Sequence, residues 1–112
     1  MNASKTVKEV LLLGTLMERF RGSERVVVEN AARHVLFRGY AGNFETSNID
    51  KTRRVEQVST AVETYRKTDN LWDWSNINNL PEEIPMECIS EFEIGDLKQI
   101  IYTRIRLVSD FS

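Results

Sequence analysis

Apolar and polar positions change their rhythm several times along this chain, and each change marks an element. Val7, Val10, Leu11, Gly14, Met17 and Phe20 recur at helical spacing. Thr6-Val7-Lys8-Glu9 has the form of a capping box, in which the threonine hydroxyl and the glutamate carboxylate satisfy each other's backbone amides. Residues 1–5 are polar and are expected to form a disordered tail. The spacing therefore predicts an N-terminal helix ending near Gly22. Leu12, Leu13 and Leu16 widen its apolar face beyond one stripe, so cover from a sheet and from a partner is expected.

The rhythm then shortens to two. Arg25 to Glu29 and His34 to Ala41 are rich in β-branched and aromatic residues, and only Asn30 to Arg33 separates them, which predicts a hairpin. Residues 42–51 read as a polar loop. Residues 53–66 fit a helix through Val55, Val58, Val62 and Tyr65, and a strand through Val58, Thr60, Val62 and Thr64. The β-branched density decides for a strand. Met86, Cys88, Ser90, Phe92 and Ile94 alternate with Glu87, Ile89, Glu91 and Glu93, which predicts a strand with one acidic face. Ile101, Thr103, Ile105 and Leu107 give the clearest strand. Residues 67–85, rich in Asn and Asp and ending in Pro81 and Pro85, form a long loop. A connection of that length in a small domain is functional or hides a short helix.

The expected fold is α+β: an N-terminal helix packed on a mostly antiparallel, curved sheet of about five strands. The 112 residues suit one domain, residues 1–112, which buries roughly 60–68% of its unfolded surface. Cys88 is the only cysteine, so no internal disulfide is expected. The apolar run Val10–Leu13 is too short for a signal segment or a membrane span, and a cytoplasmic protein without membrane contact is expected.

Charge narrows the function classes. Net charge is −2 but uneven: residues 1–56 hold ten basic and seven acidic side chains, and residues 57–112 hold five and ten. Between Asp69 and Asp96 there are eight acids and no base. A duplex-DNA binder would carry a basic excess. Glycine-rich phosphate loops, the serine-elbow motif, the HExxH zinc motif and CxxC pairs are all absent. The acids match no calcium-loop spacing. His34, the lone histidine, has no assignable orienting carboxylate, and Cys88 lies between Glu87 and Glu91, which oppose a thiolate. No catalytic residue, metal or cofactor is expected, and the chain reads as a non-enzyme.

Two sets of residues stand out as binding candidates. Leu71-Trp72-Asp73-Trp74 places two tryptophans in the Asn-rich connection. There they either anchor a protein partner, or one of them pins the loop to its own core. Arg53, Arg54, Tyr65 and Arg66 bracket one strand and are candidates for anion or single-stranded nucleic-acid contact. Arg104 and Arg106 share a face of the last strand and are expected to pair with the acidic 87–93 strand. The first reading is an interaction module that binds a macromolecular partner or itself, as a homo-oligomer.

The stretch Arg25-Val26-Val27-Val28, then Val35-Leu36-Phe37-Arg38-Gly39-Tyr40-Ala41-Gly42-Asn43-Phe44, follows a helix and resembles the opening of Sm-like and other SH3-like small barrels. In those folds a bent second strand carries glycines. The resemblance implies a curved sheet with a face for small ligands or single-stranded nucleic acid, which is the alternative reading. The Arg-Gly pair between the last strands of the Sm family is missing. In general style the chain is also similar to small reading frames of phages and mobile elements.

Overall fold

Three consecutive valines cannot all face one core in an extended chain, because side chains alternate across a strand. Arg25–Glu29 (β1) is accordingly buried on both sides, as the centre of a two-layered packing. The computed structural model describes residues 10–109. The expected tail 1–5 and the Thr6–Glu9 capping box lie outside the described residues.

β1 forms a hairpin with Val35–Tyr40 (β2), in the register Val28 opposite Phe37 and Val26 opposite Gly39. The turn is closed by the Asn30 amide donating to the His34 carbonyl at 3.0 Å and the His34 amide donating to Asn30 Oδ1 at 2.9 Å. Arg33 takes the left-handed backbone region, φ 70°, that this tight reversal needs. Val55–Arg66 (β3) runs antiparallel to Leu97–Leu107 (β4) along almost its whole length. The β-branched reading of residues 53–66 is the one that forms. The sheet order is β2-β1-β4-β3.

The sheet matches the expectation only roughly. Two of its three pairings are antiparallel, but β1 and β4 pair in parallel at its centre, which makes it mixed, and it has four strands rather than about five. The missing strand is residues 86–94. Met86–Glu91 and Ile94–Asp96 are 3-10 turns. Met86 and Ile94 stand exposed, so the apolar half of that alternating pattern has no sheet to face. The expected pairing of Arg104 and Arg106 with these acids also fails. Arg106 pairs with Glu29 at 3.0 Å, and Arg104 donates to the Tyr102 hydroxyl at 3.2 Å.

The helix is shorter than its apolar periodicity suggests. It spans Leu13–Met17 (α1) and is capped at Glu18, so Gly22 does not end it. Upstream, Leu11 and Leu12 are held extended against the start of β3. The Val55 amide donates to the Leu11 carbonyl at 2.8 Å, and Leu12 bridges Arg54. The extra leucines are therefore used on the chain's own sheet. Leu13, Leu16 and Met17 pack with Val26, Val28, Phe44, Ile105 and Leu107 on what we call the helix side of the sheet. Gly22 lies against Gly42, whose amide donates to the Gly22 carbonyl at 3.0 Å. Residues 42–51 are not a plain loop, since Ala41–Thr46 forms a 3-10 turn that buries Phe44.

Among the described residues no helix is long and apolar enough to cross a membrane. They also hold no group of three or more His, Cys, Asp or Glu side chains placed to bind a metal ion.

Candidate functional site

The opposite face of the sheet carries an unusual amount of charge. Arg25, Glu29, Arg38, Glu63, Arg104 and Arg106 all alternate onto it with Val27, Ala61 and Tyr102. At its centre Arg38 on β2 grips Glu63 on β3 through two parallel hydrogen bonds of 2.8 and 2.7 Å. β2 and β3 are the two edges of the sheet, three strand spacings or about 14 Å apart if the sheet were flat. Their side chains meet with both ends buried, so the sheet curls over this face. The sheet is open.

The connection 67–85 closes the curl like a strap. Trp74 is 1% exposed and packs on Val27, Ala61 and Tyr102. Its ring lies 4.0 Å under the Arg38 guanidinium, its indole N–H donates to Glu63 Oε1 at 2.9 Å, and its carbonyl accepts from Arg38 Nε at 2.7 Å. Tyr65 completes the set by donating its hydroxyl to Glu63 at 2.8 Å. Burial alone would raise the Glu63 pKa, but hydrogen bonds from Arg38, Tyr65 and Trp74 and the Arg38 charge outweigh it, leaving the carboxyl below its ordinary value. Burial, and then the hydrogen bond to Glu63, push the Tyr65 phenol well above its ordinary value. Every polar atom of this cluster is tied to another member, and none is presented to a substrate. It is a structural clasp.

The strap returns to β3, where the Ile84 amide donates to the Thr64 carbonyl at 2.8 Å. This fixes the outer, sheet-edge side of β3. A residue's N–H and C=O point the same way in a strand and alternate along it. Thr64 points outward, so Val62, Thr60 and Val58 do as well. One end of this edge is covered by Leu11 at Val55, the other by Ile84 at Thr64. Between them, among the described residues, residues 56–63 make no outward backbone hydrogen bond.

The side chains beside this open edge are apolar. On the helix side, the α1 cluster takes in β1, the end of β4 and Val55 at the start of β3, and leaves the rest of β3 uncovered. Val58, Val62 and Ile101 are 44%, 47% and 63% exposed, and Val62 stands directly opposite Ile101. Thr60 and Thr103 fill the places between them. Glu24 and Arg25, at the start of β1, border it where they line a shallow depression with Thr60, Ile101 and Thr103.

The sequence candidates are dispersed. Trp74 belongs to the clasp, whereas Trp72 is 77% exposed on the outside of the strap. Leu71 and Asp73 are half-buried, and Asp73 accepts from Asn79 at 2.9 Å. Arg53 and Arg54 stand before β3, and Tyr65 and Arg66 at its far end, about 36 Å away along the strand. Tyr65 is buried in the clasp and Arg66 lies over the Phe92 ring at 5.5 Å, so the four do not make one surface. His34 is exposed at the hairpin turn. Cys88 is half-buried beside a cleft of about 220 Å³ that also touches Arg66, Glu83 and Phe92. Desolvation first, and then Glu91 and Glu87, push its thiol above the ordinary value, away from nucleophilic duty.

Sequence reasoning passed over Arg38 and Glu63. The available signal was a charged residue of opposite sign in the middle of each of two β-rich runs, Val35–Tyr40 and Val55–Arg66. A comparison with family models, curated proteins and solved structures finds no match.

Proposed function

We infer that the protein is a non-enzymatic interaction module that accepts a β-strand along the open edge of β3. The reading rests on one observation: residues 56–63 offer unpaired outward backbone groups directly beside the uncovered Val58–Val62–Ile101 patch. An added strand gains hydrogen bonds from the edge, and its alternate side chains gain apolar cover from the patch. The partner chemistry follows from this. It is an extended segment with β-branched or aromatic residues on alternate positions and no charge facing the patch.

The clasp supports the same reading from the other side of the sheet. It pairs Arg38 with Glu63 and leaves the middle of the β3 edge open.

The test is site-specific photo-crosslinking in the natural host cell, with benzoylphenylalanine replacing Val58. An adduct with a macromolecule is expected, and Thr60→Pro should abolish it. Proline at this outward-facing position removes an edge donor and no β3–β4 hydrogen bond. Absence of any adduct, or an adduct indifferent to Thr60→Pro, would overturn the reading.

A further inference from the structure

We propose that the partner strand received by β3 carries a glutamate opposite Ser59, on the charged face of the sheet, and that this carboxylate pairs with Arg104. The proposal deepens the strand-acceptor reading and rests on it. That reading sets the side chains on one face of the partner strand, and the charged face sets those on the other.

A strand added to β3 presents alternate side chains to the two faces of the sheet. Those beside Val58, Thr60 and Val62 meet the apolar patch. Those beside Ser59 and Ala61 fall on the charged face, which carries the arginines. Arg38 holds Glu63 there, and Arg106 holds Glu29. Arg25 lies over the Tyr40 and Trp74 rings, 5.3 and 5.8 Å from their centroids. Arg104 is half-buried and donates to the Tyr102 hydroxyl at 3.2 Å. Among the described residues no carboxylate comes within 4.0 Å of it, and Glu29 and Glu63 act on it only from farther away. A guanidinium offers five donors in a fixed fork, and a carboxylate takes two of them in parallel.

Ser59 makes Arg104 reachable from the edge. It stands directly opposite Arg104 in the β3–β4 register. A residue opposite Ser59 on the added strand therefore lies two strand spacings, about 9.6 Å, from Arg104. Arg38 and Glu63 already meet across three spacings on this same face. A glutamate spans the shorter gap, over a small side chain whose hydroxyl can also donate to it. The neighbouring positions on β3 offer no such charge: Gln57 accepts from Arg106 at 3.1 Å, and Ala61 packs against Trp74. A lysine opposite Ser59 would set like charges together. The covered ends fix the length, because five residues opposite Val58–Val62 clear both Leu11 at Val55 and Ile84 at Thr64.

The probe is the synthetic peptide acetyl-Val-Thr-Val-Glu-Val-amide, which in antiparallel pairing sets its glutamate opposite Ser59. A twin with lysine in place of glutamate is the control. Each is titrated into the isotope-labelled full chain and followed by the amide resonances of Val58, Thr60 and Val62. These are expected to shift with a dissociation constant about tenfold lower for the glutamate peptide than for its twin. Arg104→Gln should bring the two peptides within about twofold of each other, and Arg104→Glu should reverse their order. Ser59→Glu supplies Arg104 with a carboxylate from the chain itself and should weaken the glutamate peptide about tenfold. It keeps the test if the Arg104 variants fail to fold.

Equal affinities for the two peptides, or a preference that survives Arg104→Gln or Ser59→Glu, would overturn the proposal. The strand-acceptor reading would then stand, since the edge amides still respond. No response of those amides to either peptide at about 5 mM also overturns it. In that case Thr60→Pro-sensitive adducts at position 58 would keep the strand-acceptor reading, and their absence would remove both. Shifts of the same amides on concentrating the protein alone would assign the edge to a second copy, against the proposal.

Discussion

Replacing Arg38 by alanine strips the clasp of the cation hydrogen-bonded to Glu63 and leaves Glu63 inside. The variant loses three hydrogen bonds, two to Glu63 and one to the Trp74 carbonyl, together with the stacking of the guanidinium on the indole. Breaking a buried pair in this one-sided way costs about 3–5 kcal/mol, most of it the penalty of an uncompensated buried charge. A domain of this length is worth roughly 6–17 kcal/mol in total, so Arg38→Ala should remain folded at 25 °C with a much lower urea midpoint. The pH dependence separates charge from packing. The folded pKa of Glu63 is depressed, so its stabilising contribution is fully present above the unfolded carboxyl value and is lost as pH falls through the lower folded value. Without Arg38, burial dominates and the carboxyl should titrate above its ordinary value. The stability gap between the two proteins should thus be widest near neutral pH and narrow as the solution is acidified through the carboxylate range. Urea unfolding followed by circular dichroism at a series of pH values measures both quantities. A loss below about 1 kcal/mol, or a gap that does not move with pH, would refute the clasp as described.

Three further outcomes are expected. Trp74→Ala should cost about 3–5 kcal/mol, whereas Trp72→Ala should change stability by less than about 0.5 kcal/mol, read from the same unfolding curves. Gly42→Ala places a methyl group about 3.1 Å from the Gly22 α-carbon and 3.2 Å from its carbonyl oxygen. Both neighbours are backbone, so a loss of about 1–3 kcal/mol is expected in thermal unfolding. Cys88 should alkylate with iodoacetamide at pH 8 more slowly than an unhindered model thiol, because its pKa is raised by desolvation and by Glu91 and Glu87. A rate equal to or above the model's would contradict that assignment.

Local chemistry made most of the strands readable. β1 and β2 follow from β-branched runs around a short polar gap, and β3 from choosing β-branching over an equally good helical spacing. The limits of such reading appear where a pattern needs a neighbour to give it meaning. Met86–Ile94 alternates as a strand should, yet no strand lies beside it. Leu11 and Leu12 fall on a helical stripe, yet the start of β3 holds them extended. Trp72 and Trp74 looked like a pair, but two residues apart in an irregular segment they face opposite ways, one into the clasp and one to solvent. Arg38 and Glu63 are 25 residues apart on the two edges of the sheet, and only the curl brings them together. The open edge was invisible for the same reason. Which side of β3 is free depends on β4, Leu11 and Ile84, residues that no local window contains.

The two halves of the molecule are linked through this topology. A mixed sheet with a parallel centre leaves both β2 and β3 as edges. The strap restrains the two edges together, because Trp74 takes Arg38 from one and Glu63 from the other. It does so on the charged face and touches the outer side of β3 only at Thr64. Natural edges of this length are usually blunted by inward charges, prolines or bulges along their middle. Here the bulge between Val55 and Gln57 and the nearby Glu56 sit at one end, and Glu63 is turned into the clasp at the other. The middle, Val58 to Val62, carries none of these defences. An undefended stretch with three outward residues is what a pairing surface requires, and it is the reason the edge, rather than the buried charges, carries the functional reading.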